Sequence, residues 1–417
     1  MCSKTPETSE TIAKRLRDLF VASVNAVDAG PLVKRELLAH PMSSEAITLL
    51  ALGKAALPMA SAALEVLGDQ ICSSCVVAPK LPEGMPSGWM ASSHPTPTQL
   101  SVAAAESLLA AARQAQGEIL FLLSGGGSAL AALPAAGLSL PDKVLLLSEV
   151  YEAGVAIDQL NVVRKHLSGI KGGQLAQAAT VPMTTLLISD VVGDSLHTIA
   201  SGPSLPDPST FQSALEIAEA VGVSPGPALE RLREGAAGNI EDTPSVGRAS
   251  DRQVLLAGFG ALASEAQRLA LSAGFVSRLA DSELEGSIAS VATRLLQEAK
   301  QTGLCIAGAE ATVKVAQAAG KGGRAQHLAL HMAREIQGPE PLYVLVAGSD
   351  GIDGNTQAAG AIVDNQTYER LLAIGVDPEE SLRHCDSATA LASVGAQIMT
   401  GPTGVNHADL IFVYRPE

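Results

Sequence analysis

Three glycines between two serines, Ser124-Gly125-Gly126-Gly127-Ser128, follow the apolar stretch Ile119–Leu123 directly. Glycine lets backbone N–H groups approach an anion, and a helix starting after the run adds a favourable dipole, so the loop reads as a phosphate cradle. A plain tight turn is the alternative, although three consecutive glycines cost chain entropy that a turn avoids. No GxxxxGK[ST] occurs: Lys321 in Gly320-Lys321-Gly322-Gly323-Arg324 lacks both the spacing and the hydroxyl. Cations gather beside other paired glycines, with Arg164, Lys165, His166 and Lys171 before Gly172-Gly173, and Lys321 and Arg324 flanking Gly322-Gly323. Such pairs suit an anion gripped by backbone and side chain together, against the alternative of a solvated helix face. Lys54, in Leu52-Gly53-Lys54-Ala55-Ala56, follows a strand whose end falls at the carboxyl edge of a sheet, where α/β proteins bind ligands.

Aspartates punctuate two further loops, Ser189-Asp190-Val191-Val192-Gly193-Asp194 and Gly348-Ser349-Asp350-Gly351-Ile352-Asp353-Gly354. Carboxylates three or four residues apart in a glycine-bearing loop can share a divalent cation that bridges phosphate oxygens; Asx turns are the plainer reading. Gly258-Phe259-Gly260-Ala261-Leu262-Ala263 reads as a GxGxxA dinucleotide fingerprint, with Asp281 at about the expected distance, against the alternative of glycines that merely pack a helix. Cys72 and Cys75 form a CxxC, but one that leads into the apolar run Cys75–Ala78, as two structural thiols in a strand would. A single CxxC makes no four-cysteine zinc site.

Short apolar runs followed by glycine or polar loops and then helical patterns supply the elements that must position these groups. They are Ile47–Leu52, Cys75–Ala78, Ile119–Leu123, Thr185–Ile188, Val254–Ala257 and Tyr343–Ala347. The alternation predicts parallel βαβ units with helices over Val102–Arg113 and Glu283–Lys300, and a helix start at which Ser139 caps and Pro141 and Asp142 occupy the first turn. Gly222–Arg252, rich in Gly, Pro, Ser and charge, with only a short helix-like piece around Leu229–Arg233, reads as an interdomain connection with its boundary near Ser250.

The chain has 417 residues, more than one ordinary core supports, with 47% hydrophobic, 17% charged and only 3% aromatic residues. Such a composition suits parallel strands under Ala-rich helices. A net charge of −15 opposes a nucleic-acid partner. No apolar run approaches the roughly 20 residues of a membrane span, and the polar start predicts a soluble cytoplasmic protein without a membrane partner. Five scattered cysteines argue against a disulfide framework. The oligomeric state stays open, a homo-oligomer included.

Assembled in order, these motifs resemble the glycerate 2-kinase family with its C-terminal MOFRL domain, some of whose members carry the older label hydroxypyruvate reductase. The resemblance runs through LGKAA at Leu52–Ala56, HPTP at His94–Pro97, SGGGSAL at Ser124–Leu130, NVVRKHLSGIKGG at Asn161–Gly173 and SDVVGD at Ser189–Asp194. It continues through IASGPSLPDPST at Ile199–Thr210, GSDGIDGNTQAAGA at Gly348–Ala361 and TGPTGVNHADL at Thr400–Leu410. It implies a Rossmann-like parallel-sheet N-terminal domain (1–250), a smaller α/β MOFRL domain (251–417) and an active site in the interdomain cleft. It further implies ATP-dependent phosphorylation of the 2-hydroxyl of D-glycerate, or of a similar small hydroxy acid, with Mg²⁺.

By the same resemblance Lys54, Arg324 and Asp194 are the expected catalytic residues. Ser124, Gly125, Gly126, Gly127, Ser128, Lys171, Gly172 and Glu310 are the expected nucleotide contacts, and Asp190, Asp194, Asp350 and Asp353 the expected metal ligands. The chain departs from the family pattern at Thr98, Ala309, Ala325, His327 and Val405. An NAD-dependent hydroxypyruvate reductase is the rival enzyme, resting on the motif at Gly258. A phosphometabolite-binding module that has lost catalysis is the non-enzymatic one, resting on Ala325 and His327.

Overall fold

In a computed structural model, which describes residues 7–189, 196–197, 199–280, 284–313, 320–403 and 409–416, two sheets account for the strands. The first joins β1 (Ile47–Leu52), β2 (Ile71–Ala78), β3 (Trp89–Ala91), β4 (Glu118–Leu123), β5 (Met183–Ile188) and β6 (Arg252–Ala257) in the order β3-β2-β1-β4-β5-β6. Every residue of β1, β4 and β5 is buried, as parallel strands covered by helices on both faces must be. β1 pairs in parallel with both β2 and β4. The strand order therefore reverses between β1 and β4, and the loops after these two strands lie side by side at the carboxyl edge, the position at which open α/β sheets bind ligands.

The second sheet contains β7 (Ser277–Leu279), β8 (Leu284–Ser287), β9 (Gly303–Thr312), β10 (Tyr343–Gly348), β11 (Gly360–Asp364), β12 (Gln397–Ile398) and β13 (Asp409–Arg415), in the order β12-β11-β10-β13-β9-β7 with β8 also on β9. Its centre is antiparallel: β10 runs against both β11 and β13, and β13 against β9. Tyr343–Ala347 is thus a strand, as its sequence predicts, but not part of a parallel βαβ unit. Its partner β13 arrives from 61 positions further along, a separation that local periodicity does not encode.

Two compact units result. One is Ala29–Leu256; the other is the chain from Ala257 onward together with the first helix, up to Asp28. The sequence division near Ser250 put that first helix, Ser9–Ala26, with the N-terminal domain. Its apolar face instead belongs to the second unit, where the Arg15 guanidinium lies 4.2 Å from the Phe275 ring centroid and Ser9 Oγ meets Tyr343 Oη at 2.8 Å.

Gly222–Arg252 is integrated rather than connecting. The helix Pro227–Ala236 buries Leu229 and Leu232, Thr243 donates to Asp207 at 2.8 Å, and Arg248 donates to the carbonyls of Ala179 and Val181. The helix expected over Glu283–Lys300 begins only at Ile288, after β8. Gly286 at φ 115° cannot continue a helix, and Ser287 caps the one that follows by accepting from Ser290 N. The Ser139 cap is formed as expected, reciprocally with Asp142. Cys72 and Cys75 both lie in β2 with free thiols, and burial pushes the Cys75 thiol up to about 11, the opposite of a redox-active thiolate. Among the described residues no helix is long and apolar enough to cross a membrane.

Candidate active site

The loop between β1 and the next helix is fastened to the loop after β4. Lys54 N donates to Gly125 O at 2.8 Å and Ala55 N to Ser124 Oγ at 3.0 Å, so the buried Ser124 hydroxyl serves as a hinge pin between the loops. Gly126 takes φ 82°, and a Cβ there would lie 3.1 Å from Lys54 Cγ and 3.2 Å from the His94 imidazole. Glycine at this position thus brings Lys54, His94 and the triple-glycine turn together. The helix after the loop, Gly127–Leu130, is a single turn, so the dipole expected from the sequence is small and the loop's amides and neighbouring cations dominate.

Those cations line a pocket of about 530 Å³ walled by Gly126, Ser128, Lys143, Arg164 and Lys171 on its polar side. Lys143 and Lys171 are only 3% and 1% exposed, and no carboxylate of the described residues pairs with either lysine or with Arg164. Lys143 Nζ donates to Leu133 O at 3.1 Å, Lys171 Nζ to Ala200 O at 3.2 Å and Arg164 Nη1 to Asn161 Oδ1 at 2.6 Å. Burial, reinforced by Arg164, pushes the Lys143 ammonium down to about 7; burial with Lys143 and Arg164 nearby drives Lys171 well below the ordinary lysine range.

Ala200 and Ser201, at φ 51° and 58°, form a left-handed turn whose carbonyls receive Lys171 Nζ and Gly172 N. Strain in two non-glycine residues is thus spent on presenting acceptors to the Lys171-Gly172 segment. Ser128 Oγ joins the same network through Ser201 and Asn161.

The basic run read from the sequence therefore divides. Arg164 and Lys171 face the pocket. Lys165 forms a buried ion pair with Asp207 at 3.0 Å, and His166 packs edge-on against Phe211. Lys143 was missed: it occupies the apolar stripe of the helix Leu140–Glu152 with Leu146 and Val150, and a lysine on such a stripe is the signal that was there to read.

Strand register builds a second pocket, of about 550 Å³, in the other unit. Gly348 at the end of β10 is opposite Asp409 on β13, and Asp409 is opposite Ala309 on β9, one residue before Glu310. Arg324, first residue of the helix Arg324–Glu335, reaches into this edge: Nη1 donates to Glu310 Oε1 at 2.9 Å and Nε lies 2.8 Å from Asp409 Oδ2. Burial pushes the Asp409 carboxyl up to about 7; the Arg324 guanidinium pulls it down, while Asp353 and Asp350 push it the same way as burial.

Asp353 is buried and accepts from the amides of Gly323, Ala325 and Gln326 and from Gln326 Nε2, which fixes its loop to the start of this helix. A Cβ on Gly323 would sit 2.2 Å from Asp353 Oδ1, so only glycine admits that approach. Asp350 is exposed, its Oδ1 accepting from Ile352 N in an Asx turn. Among the described residues no three of His, Cys, Asp and Glu are grouped to hold a metal. Asp190, Asp194, Val405 and Asp281 lie outside the described residues.

The GxGxxA motif lacks its structural setting. β6 is the edge strand of the first sheet, but the helix Phe259–Ser272 leads to β7 of the second, so no βαβ unit surrounds the glycines.

A glycine loop at a sheet switch point beside buried cations, with a carboxylate-held arginine in the second unit, places the chain among two-unit α/β proteins that bind anionic small molecules. Comparison with known proteins narrows the class. Residues 15–233 match a family model described as a domain of unknown function, DUF4147, and residues 303–409 match the MOFRL family. A D-glycerate 2-kinase of Thermotoga maritima is 36% identical over 96% of this chain and 98% of its own length. The crystal structure of glycerate kinase from the same organism superposes with a TM-score of 0.89 at 34% identity, covering 97% of this chain and all of that one. A relative from Agrobacterium vitis, 33% identical over 95% of this chain and 92% of its own length, is named as a hydroxypyruvate reductase. The chain belongs to the glycerate 2-kinase family.

Proposed function

We propose that the protein is an ATP-dependent kinase that phosphorylates the 2-hydroxyl of D-glycerate. The observation that carries the reading is the switch-point assembly of Lys54 and the loop Ser124–Ser128 beside Arg164 and Lys171, which no carboxylate of the described residues pairs, in a chain whose near full-length relative is a D-glycerate 2-kinase. Phosphoryl transfer asks a protein chiefly for positioning and for charge to neutralise the migrating group, and these residues supply both. In this reading Ser128, the amides of Gly125–Gly127, Lys171 and Gly172 hold nucleotide phosphates, and Lys54 stands at the transferred group. Arg324, oriented by Glu310 and Asp409, is the cation that the second unit offers to an anionic group of a ligand.

Magnesium asks for one or two carboxylates, with water and phosphate completing its shell. The exposed Asp350 has the right chemistry, whereas the oxygens of Asp353 are engaged by helix amides. The bound ion would offset phosphate charge, with Asp190 and Asp194 as further expected ligands. The reductase reading loses its one motif, because the glycines at Gly258 have no βαβ setting.

Release of ADP coupled to a spectroscopic readout, run with D-glycerate and a panel of small hydroxy acids, tests the assignment. D-Glycerate should give the highest kcat/KM. NADH oxidation with hydroxypyruvate, in the absence of ATP turnover, would overturn it.

A further inference from the structure

Two lysines buried without a counter-ion among the described residues are the feature that the reaction class does not itself require. An isolated ammonium in a protein interior is unstable, and three mutually repelling cations are more so, unless something anionic completes the site. Lys143, Arg164 and Lys171 come from three segments, and they converge on one pocket with Ser128 on its wall. Their only polar partners among the described residues are neutral: the Leu133 and Ala200 carbonyls and the Asn161 amide oxygen. A single carboxylate would leave most of that charge uncompensated, whereas a polyphosphate matches it. Leu140, Val144, Leu147 and Leu160 add apolar lining, and the volume of about 530 Å³ leaves room for a ring system beyond the phosphates.

We propose that Lys143, Arg164 and Lys171 form a clamp for the polyphosphate of a nucleoside di- or triphosphate, with Lys143 a binding residue of equal standing to Lys171. The proposal rests on the kinase reading for the identity of the nucleotide, but the clamp itself is a claim about phosphate. It carries a proton linkage. Facing Lys143 are Arg164 and Lys171 from other segments, with Glu152 on its own helix and His94 on the loop opposite, while the neighbouring Asp142 is turned to the Ser139 cap. Burial lowers the proton affinity of both lysines, Lys143 to about 7, so that at pH 8 the Lys143 amine is only partly protonated in the free protein; an anion beside it raises that affinity, and binding takes up protons.

The test is titration calorimetry of the full chain with ADP, inorganic pyrophosphate and 2-phosphoglycerate, in buffers of different ionisation heat at pH 8. It is run for the wild type, Lys143→Met, Lys171→Met and the charge-retaining Lys143→Arg. Wild-type binding of ADP should take up protons. Each methionine variant should lose roughly ten- to hundredfold in affinity for ADP and pyrophosphate, with KM for the hydroxy acid little changed and Lys143→Arg recovering part of the loss. Relief of the buried charge should also leave the free Lys143→Met protein as stable as wild type or more so, where a lysine kept for structure would lower its melting temperature.

Unchanged ADP affinity in both methionine variants, or wild-type binding without proton uptake, overturns the clamp even if the protein turns over ATP. Loss confined to 2-phosphoglycerate and the hydroxy acid overturns it too and assigns the cations to the acceptor. Pyrophosphate binding that depends on both lysines, in a protein that neither binds ADP nor turns over ATP, upholds the clamp and removes the kinase reading instead.

Discussion

Lys54 stands exposed beside a pocket whose deeper cations are buried, and Arg324 is held by two carboxylates at a different sheet edge, so the two positive charges are prepared in different ways. Lys54→Met keeps the aliphatic stem and Arg324→Gln keeps donors. Each should lower kcat at saturating ATP and D-glycerate by on the order of a hundredfold, the loss typical of one transition-state donor, with the fold unchanged by circular dichroism. Turnover within a few-fold of wild type in both would remove them from the chemistry.

Asp409 sets a pH limit on Arg324. Its carboxyl is pushed up to about 7, so it is ionised above that pH and neutral below it, and on protonation Arg324 keeps, among the described residues, only Glu310 as a charged partner. kcat should therefore fall as pH drops through about 7, and Asp409→Asn should give a low profile without that limb. A wild-type kcat flat from pH 6 to 8 would sink the argument. Asp409 was visible in the motif ending His407-Ala408-Asp409-Leu410, but its role was not. Only the register of β13 against β9 and β10 brings it to Glu310 and Gly348.

The elements that place these side chains were legible to different degrees. β1, β4 and β5 are continuous apolar runs bounded by glycine or polar residues, and they emerge as read because parallel strands buried on both faces leave that mark. Sequence reading failed where one local pattern admits two structures. The apolar spacing after Glu283 fits a helix until Gly286 and Ser287 impose a strand and a cap, and the polar, Pro-rich stretch Gly222–Arg252 looks like a linker until Arg248 and Thr243 find partners far away in the chain. The triple-glycine turn lies between these cases. Its glycine run at the end of a buried strand was legible, but its single-turn helix and its close approach to His94 were not.

Gly126→Ala tests that turn as an element. An alanine at φ 82° costs about 1–2 kcal/mol in backbone strain, and its methyl would press on Lys54 and His94. Modest destabilisation should accompany a rise in KM for ATP of at least severalfold. An unchanged KM, with the stability loss present, would mean that the turn does not hold the nucleotide.

At the scale of the molecule the charge of −15 and the cation-lined pocket are compatible because they act over different distances. Exposed charges are screened within about 8 Å at physiological ionic strength, while buried ones are not. The antiparallel core of the second sheet was not legible, since β13 joins β10 and β9 across long separations and its unbroken apolar run carries no mark of direction. What the whole chain does with a nucleotide is nonetheless a single measurement. A ligand that binds only the folded state stabilises it by mass action, by about 2.7 kcal/mol at a hundred times its dissociation constant. ATP or ADP with magnesium should therefore raise the melting temperature by several degrees. NADH should not, because the glycines at Gly258 lack the strand–helix–strand frame that a dinucleotide site requires. Omitting magnesium should reduce the shift, and Asp350→Ala should reduce the magnesium-dependent part specifically, since the variant keeps the cation pocket and loses the carboxylate proposed for the metal. The two comparisons separate the claims. A full magnesium effect in Asp350→Ala would free that aspartate from the metal without touching the nucleotide pocket, whereas a shift with NADH and none with nucleotide would overturn the kinase assignment.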